Sequence, residues 1–277
     1  MAIAPIIIGT AAAYELDALH WDRAVLAAVV ALLLQIGVNY ANDYSDGIRG
    51  TDEVRVGPLR LVGSGAARPR DVKLAAFAAL GLAMLAGLAL VLLSQAWWLL
   101  LVGAGAVLAA WGYTGGKNPY GYMGLGDVFV FVFFGPVATL GTTFTQAGQV
   151  STAAVLGSMS TGLIAVALLM ANNVRDIPTD SEVGKRTLAV RLGDRNARLS
   201  YVAMLALSVL LMLIIAPDKP WILLVALLIP FMLMPSWLML KGKKRKSLIP
   251  VLQQTGLLNL GFSVLFAAAM VLTVLTR

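Results

Sequence analysis

Apolar stretches about as long as a bilayer is thick recur along the whole of this 277-residue chain. Nine segments can be read, near residues 2–14, 24–41, 72–93, 97–113, 126–146, 152–173, 197–216, 220–240 and 249–276. A helix needs about 20 apolar residues to cross the hydrocarbon core. Inside that core every backbone N–H and C=O must find a partner within the protein, so only helices and closed barrels can span it. The period-2 alternation of a barrel strand is absent. The expected fold is therefore all-α: a polytopic membrane protein with about nine transmembrane helices around a central cavity, residues 1–277 forming a single domain. Composition agrees, with 59% hydrophobic and 13% charged residues, against about 45–50% and about 25% in soluble domains. The first segment is too short to span alone at about 1.5 Å per residue. It resembles a signal-peptide core, but no basic residue precedes MAIAPIIIGTAAA, so it is read as part of the protein.

Cysteine is absent and histidine occurs once, as His20 in ELDALHWDR. Thiolate metal sites and disulfides are excluded. A His-based triad is disfavoured, and His20 reads as a solvated loop residue.

The loops alternate in charge. Loops 42–71, 114–125, 174–196 and 241–248, with the flanking Lys73 and Arg198, hold 18 of the 21 Lys and Arg residues. The other set, 15–23, 94–96, 147–151 and 217–219, holds three when the terminal Arg277 is included. By the positive-inside rule the first set is cytoplasmic, with the N-terminus inside and the C-terminus outside. The pI near 9.8 thus reflects topology, and no nucleic-acid partner is expected. The run KGKKRK, Lys241–Lys246, reads as an anchor to anionic membrane lipids.

Ten of the 14 acidic residues lie on the same side as the cations. Carboxylates contribute little to topology, so this clustering needs another cause. NYANDYSDGIRGTD closes the second apolar segment. At about 100° per residue, Asn39, Asn42, Asp43 and Asp46 share one helix face. Gly47 and Gly50 then let the chain turn, and Asp52 can return towards the same point. NNVRDIPTD closes the sixth segment, with Asn172, Asp176 and Asp180 on one face and Asn173 beside it. Pro178 interrupts that face and predicts a kink or a helix end, with Asp180 beyond it.

One such cluster reads as a polar helix end facing water. Two matched clusters at one membrane level read as a site. Grouped carboxylates repel one another unless cations lie between them. Mg2+ takes oxygen ligands and is usually held by one or two carboxylates together with substrate phosphates. Asp43, Asp46, Asp52, Asp176 and Asp180 are the expected metal ligands, for two ions gripping a diphosphate. Its organic part would lie in the apolar bundle, which describes a prenyl diphosphate. Arg60, Lys117, Arg175, Lys185 and Arg186 are candidate phosphate contacts. A transporter would place its ionisable residues near mid-membrane and show internal repeats, whereas these cluster at one edge. A lipid-binding scaffold would not need costly paired carboxylates.

These residues resemble the UbiA superfamily of intramembrane aromatic prenyltransferases. The first acidic motif matches as Asn42-Asp43-x-x-Asp46 followed by Asp52, and the second as Asp176-x-x-x-Asp180 followed by GKRTLAVRLG. The family's YxxxK element appears as Tyr113 to Lys117. Step length between Asp46 and Asp52, VGPLRLVGSG and LGDVFVFVFFGPV are most similar to the menaquinone-pathway branch. Many members carry Glu where this chain has Asp127.

The resemblance implies Mg2+-dependent transfer of a polyprenyl group from a polyprenyl diphosphate to an aromatic acid. In that branch the acid is 1,4-dihydroxy-2-naphthoate, which loses its carboxylate to give a demethylmenaquinone skeleton; 4-hydroxybenzoate is the alternative acceptor. Catalytic roles are implied for Asp43, Asp46, Asp176, Asp180, Lys117 and Tyr113. Substrate-binding roles are implied for Asn39, Asn42, Arg60, Asn172, Asn173, Arg175 and Lys185. Tyr113, Tyr120, Tyr122, Phe131, Phe133 and Phe134 are expected near the cavity, where ring faces could stabilise a developing cation. Trp97 and Trp98 read as anchors at the outer boundary.

Overall fold

The computed structural model describes residues 1–50, 59–116 and 118–277. Among the described residues the secondary structure is entirely helical. In chain order the principal helices are α1 (Ile3–Glu15), α2 (Trp21–Ile48), α3 (Pro69–Ser94), α4 (Leu99–Gly112), α5 (Gly126–Ala147), α6 (Thr152–Glu182), α7 (Leu188–Ile214), α8 (Pro220–Leu240) and α9 (Arg245–Leu275). Each coincides with one apolar segment of the sequence. Seven are long and apolar enough to cross a membrane, while α1 and α4 fall short at 13 and 14 residues. Against the expectation of about nine spans, the described residues show seven helices of spanning length and two shorter apolar ones.

Local chemistry sets the boundaries. Pro69 opens α3 at a position where its missing N–H costs nothing, and Asp71 in the first turn favours the helix dipole. Ser151 caps α6 by accepting from the Ala154 N–H at 3.1 Å. Within α5, Pro136 lacks an N–H, and the helix widens into a π turn over Phe133–Val137. Gly193 breaks the start of α7 with φ 75, a conformation that glycine adopts without strain. α6 continues through Pro178 to Glu182. Of the expected kink or end at Pro178, the end is therefore corrected: a single proline removes one backbone bond, and Asp180 remains on the helix.

α6 is the central helix, with 72% of its apolar window buried. Water cannot drive helices together inside lipid, so close packing must, and small residues permit it. A Cβ at Gly157 would lie 2.8 Å from Ile8 of α1 and 2.9 Å from Phe266 of α9. One at Gly162 would lie 3.0 Å from Phe131 of α5. By contrast α2, α3, α4 and α8 expose many large apolar side chains, as lipid-facing surfaces do.

The loops sort to two ends, as their charge alternation predicts. At one end Glu15 pairs with Lys219 at 2.6 Å and with Arg277 at 3.1 Å, and His20 N–H donates to Gln146 Oε1 at 3.2 Å. At the other end Arg198 donates to the carbonyls of Met239 and Lys243, both at 2.9 Å, and pairs with Asp194 at 2.8 Å. The acidic clusters lie at this second end.

Candidate active site

Asn39, Asn42, Asp43 and Asp46 all lie on the unbroken last turns of α2. They divide by surroundings. Asn39 and Asn42 face a cavity, whereas Asp43 and Asp46 are buried against neighbouring loops at 5% exposure each. Both Asp43 oxygens accept backbone N–H groups, from Leu61 at 2.8 Å and Val62 at 2.9 Å. The chain at Val62 passes so close to α2 that a Cβ at Gly47 would sit 2.4 Å from its Cγ1. Gly47, expected to release a turn, instead permits this approach, and the helix runs on to Ile48 before Gly50 adopts φ 70.

Asp46 Oδ1 accepts the phenolic proton of Tyr122 at 2.7 Å. The ring of Tyr122 carries Lys185 Nζ at 4.9 Å and the Arg49 guanidinium at 5.4 Å from its centroid. Lys185 Nζ is in turn 3.9 Å from Asp180 Oδ1. A continuous path of polar contacts therefore links the two acidic clusters across a single aromatic ring. The turn that presents the ring is held by Arg186 N–H, which donates to the Tyr122 carbonyl at 2.9 Å. Gly124 ends that turn with φ 78, and a Cβ there would sit 2.8 Å from Arg191 Nε. Only glycine fits both conditions.

On α6, Arg175 is 4% exposed. It grips Asp176 through two nitrogens at 2.7 and 2.6 Å and donates to Asn172 Oδ1 at 2.8 Å. Asn42 Oδ1 accepts from Thr114 Oγ1 at 2.8 Å. Arg60 donates to the Asn39 carbonyl at 3.4 Å. Asn173 is buried beside this group but outside the cavity wall. Asp52 and Lys117 lie outside the described residues.

The cavity has a volume of about 1160 Å³. Its polar end is formed by Asn39, Asn42, Asn172, Arg175 and Tyr113, and the remainder is overwhelmingly apolar. Asp43 and Asp176 adjoin this wall in sequence without being part of it. The Tyr113 phenol is pushed well above its ordinary pKa, first by burial and then by the carboxylates of Asp127, Asp46 and Asp180. One hydroxyl therefore feels carboxylates from α2, α5 and α6 together. From Tyr113 a ladder of rings runs along the wall: Tyr120 edge-on at 5.5 Å, Phe129 stacked on Tyr120 at 4.0 Å, and Phe133 at 6.1 Å from Phe129. Phe134 also lines the cavity, but Phe131 packs on Gly162, because successive residues of a helix point to different sides. Trp97 and Trp98 are half exposed at the α3–α4 connection, as boundary residues would be.

The donor set suits a hard divalent cation: among the described residues it offers carboxylate and amide oxygens, with no thiolate and no imidazole at this end. Among the described residues no three acidic or histidine side chains stand close enough to hold an ion unaided. The set fits an ion that completes its coordination with water and substrate phosphate, which is the usual arrangement for Mg2+.

Sequence reasoning missed the bridging contact of Tyr122, although it placed that ring near the site. It also missed Thr114 and the N–H groups of Leu61 and Val62. The glycines flanking Tyr122, at 121 and 124, were the available signal of a constrained turn.

The family model described as "UbiA prenyltransferase family" matches residues 2–262. The chain belongs to the UbiA prenyltransferase family. Among its relatives is the protein named 1,4-dihydroxy-2-naphthoate octaprenyltransferase of Mycobacterium tuberculosis, 50% identical over 269 residues, covering 97% of this chain and 92% of that one. Among solved structures, a UbiA homolog from Aeropyrum pernix K1 superposes with a TM-score of 0.72 at 17% identity, covering 98% of this chain and 97% of that one. A UbiA homolog from Archaeoglobus fulgidus bound to DMAPP and Mg2+ gives a TM-score of 0.62 at 17% identity, covering 97% and 96%. These two likenesses establish a shared fold. With UbiA membership and seven long apolar helices, this is an integral membrane protein.

Proposed function

We propose that this UbiA-family protein transfers a polyprenyl group from a polyprenyl diphosphate to 1,4-dihydroxy-2-naphthoate, with loss of the ring carboxylate, in menaquinone biosynthesis. The relative at 50% identity carries the acceptor in its name. The observation that carries the reading is the large apolar cavity whose polar end adjoins two linked acidic clusters.

In this reading Asp43, Asp46, Asp176 and Asp180, with Asp52, hold Mg2+, two ions per site. A divalent cation held by these carboxylates would supply charge neutralisation to the diphosphate leaving group. Asn39, Asn42, Asn172 and Arg175 receive phosphate oxygens at the polar end, with Asn173, Arg60, Lys185 and Lys117 supporting them. Arg175 would exchange part of its grip on Asp176 for a phosphate, which a planar fork can do with little reorganisation. Tyr113, kept protonated by its surroundings, donates a hydrogen bond to the leaving group. The ring ladder and apolar walls shield the allylic carbon from water as it gains cationic character. The allylic C–O bond breaks, the naphthoate ring carbon forms the new C–C bond, and the carboxylate leaves as carbon dioxide with its bonding electrons retained in the ring. That exchange needs no separate base at the attacked carbon.

The charged end faces the cytoplasm, with the N-terminus inside and the C-terminus outside, as the cation asymmetry argues. KGKKRK holds that face to anionic lipid.

The test offers purified protein one labelled prenyl donor and a panel of aromatic acids. Product from the naphthoate, lighter by carbon dioxide, supports the assignment. Product from 4-hydroxybenzoate alone would move the protein to another branch of the family. No Mg2+-dependent diphosphate release with any acceptor would remove the enzymatic reading.

A further inference from the structure

We propose that Gln35 of α2 recognises the aromatic acceptor, its amide meeting the ring hydroxyl that points away from the diphosphate. The inference rests on the reading of this cavity as the site of prenyl transfer to a dihydroxynaphthoate. It adds a residue that tells one acceptor from another.

α2 turns one stripe of side chains to the cavity, among them Ala31, Leu34, Gln35, Val38, Asn39 and Asn42. Steps of three and four residues keep such a stripe on one side of a helix. Asn39 and Asn42 belong to the polar end. Gln35 stands four residues before Asn39, or roughly 6 Å deeper along the helix axis. Its neighbours on the stripe at that depth, Ala31, Leu34 and Val38, are apolar. An amide is therefore set one helical turn inside the apolar wall.

A polar side chain at this depth needs a partner, because hydrocarbon offers none. Two other amides of the spanning helices show the usual solution. Gln146 donates to the Thr142 carbonyl at 3.1 Å and to Thr10 Oγ1 at 3.3 Å, and Asn259 accepts from Thr161 at 2.8 Å. Gln35 is half-buried, and among the described residues its side chain has no hydrogen-bond partner. Gln253 of α9 lines the same cavity, but it is exposed, so burial imposes no partner on it.

The two substrates differ in what they can offer this amide. The diphosphate belongs at the polar end, beside Asn39, Asn42, Asn172 and Arg175, a turn away from Gln35. The prenyl chain is hydrocarbon and has neither a donor nor an acceptor. The aromatic acid has both. Its carboxylate is drawn towards the cationic Arg175, and the ring carbon that bears it must meet the allylic carbon beside the diphosphate. That orientation turns the 4-hydroxyl, on the other side of the ring, into the apolar part of the cavity. The step from Asn39 to Gln35 is comparable to the span of a substituted ring. Gln35 Oε1 then accepts a hydrogen bond from the 4-hydroxyl. The bond gains strength when the prenyl chain fills the cavity and excludes competing water.

The test pairs a change in the protein with a change in the ligand, so that their coupling is read directly. Wild type and Gln35→Leu are compared with 1,4-dihydroxy-2-naphthoate and with 1-hydroxy-2-naphthoate, which lacks only the 4-hydroxyl, at saturating geranylgeranyl diphosphate. Leucine suits an apolar helix, so insertion and folding should persist. Wild type should favour the dihydroxy acid in kcat/KM, and Gln35→Leu should shrink that preference by about tenfold or more, because a site built to bond a hydroxyl discriminates through it. The KM for the prenyl donor should stay within about twofold. If the monohydroxy acid is not turned over, its inhibition constant against the dihydroxy acid takes the place of its kcat/KM. For a Leu variant that melts early, Gln35→Met, which keeps the length of the side chain without its amide, must give the same shrinkage. A preference unchanged from wild type would overturn the proposal. A donor KM that rises as much as the acceptor KM would overturn it too, since Gln35 would then serve the diphosphate. Wild type that turns over neither acid would instead remove the functional assignment, and this inference with it.

Discussion

Tyr122 donates to Asp46 at 2.7 Å while its ring lies 4.9 Å from Lys185 Nζ, which is itself 3.9 Å from Asp180. One side chain from the α4–α5 connection thus joins carboxylates carried by α2 and α6. The contact orients Asp46 without neutralising it, because a phenol donates a hydrogen bond and keeps its proton.

Tyr122→Phe isolates that contact by deleting only the hydroxyl. Asp46 would keep its charge but lose its orientation. The Mg2+ concentration for half-maximal diphosphate release should rise several-fold, with the naphthoate KM little changed. An unchanged Mg2+ titration would show that the hydroxyl does not act through Asp46.

Asp46→Ala and Asp176→Ala should each lower turnover by more than about a hundredfold, the scale expected when a charge-stabilising group is lost. Membrane insertion should persist, since neither carboxylate lies in an apolar window. Asp43→Ala should add a second defect, because Asp43 also anchors the backbone at Leu61 and Val62. Limited proteolysis should cut that loop faster in Asp43→Ala than in Asp46→Ala. Wild-type turnover in all three would eliminate the carboxylates as metal ligands.

Arg198 separates stability from catalysis. It is buried, and ties α7 to the α8–α9 connection through the carbonyls of Met239 and Lys243. Arg198→Ala strands those acceptors, at about 2–3 kcal/mol in sum. The melting temperature in detergent should fall by roughly 5–10 °C. KM values for both substrates should stay within about twofold of wild type, because removing a distant structural tie leaves substrate contacts in place. A large KM change would place Arg198 in the site instead.

Gly162→Leu tests the packing of α6. Its Cβ would meet Phe131 at 3.0 Å and the Gly135 Cα at 3.2 Å, so α5 and α6 would have to separate. Overpacking of this kind costs about 1–3 kcal/mol or more. Aggregation on extraction, measured by size exclusion, should follow. A monodisperse, active variant would show that this helix pair has slack.

The sequence alone determined the spanning architecture, the sorting of loops to two ends and the identity of most of the polar residues at the site. These are local properties. A run of apolar residues is long enough or not, and a cation lies on one side of it or the other, whatever the rest of the chain does. Family motifs extended that reading to Asp43, Asp46, Asp176 and Asp180. Tertiary structure decided which partners those groups meet. Asp46 meets Tyr122 across 76 residues of chain and Asn42 meets Thr114 across 72. Helix periodicity predicts that four side chains share a face, but not that two would turn to the cavity and two to the loops. It did not show that Gly47 admits Val62. Such pairings depend on which helices become neighbours, and packing of the whole bundle selects them.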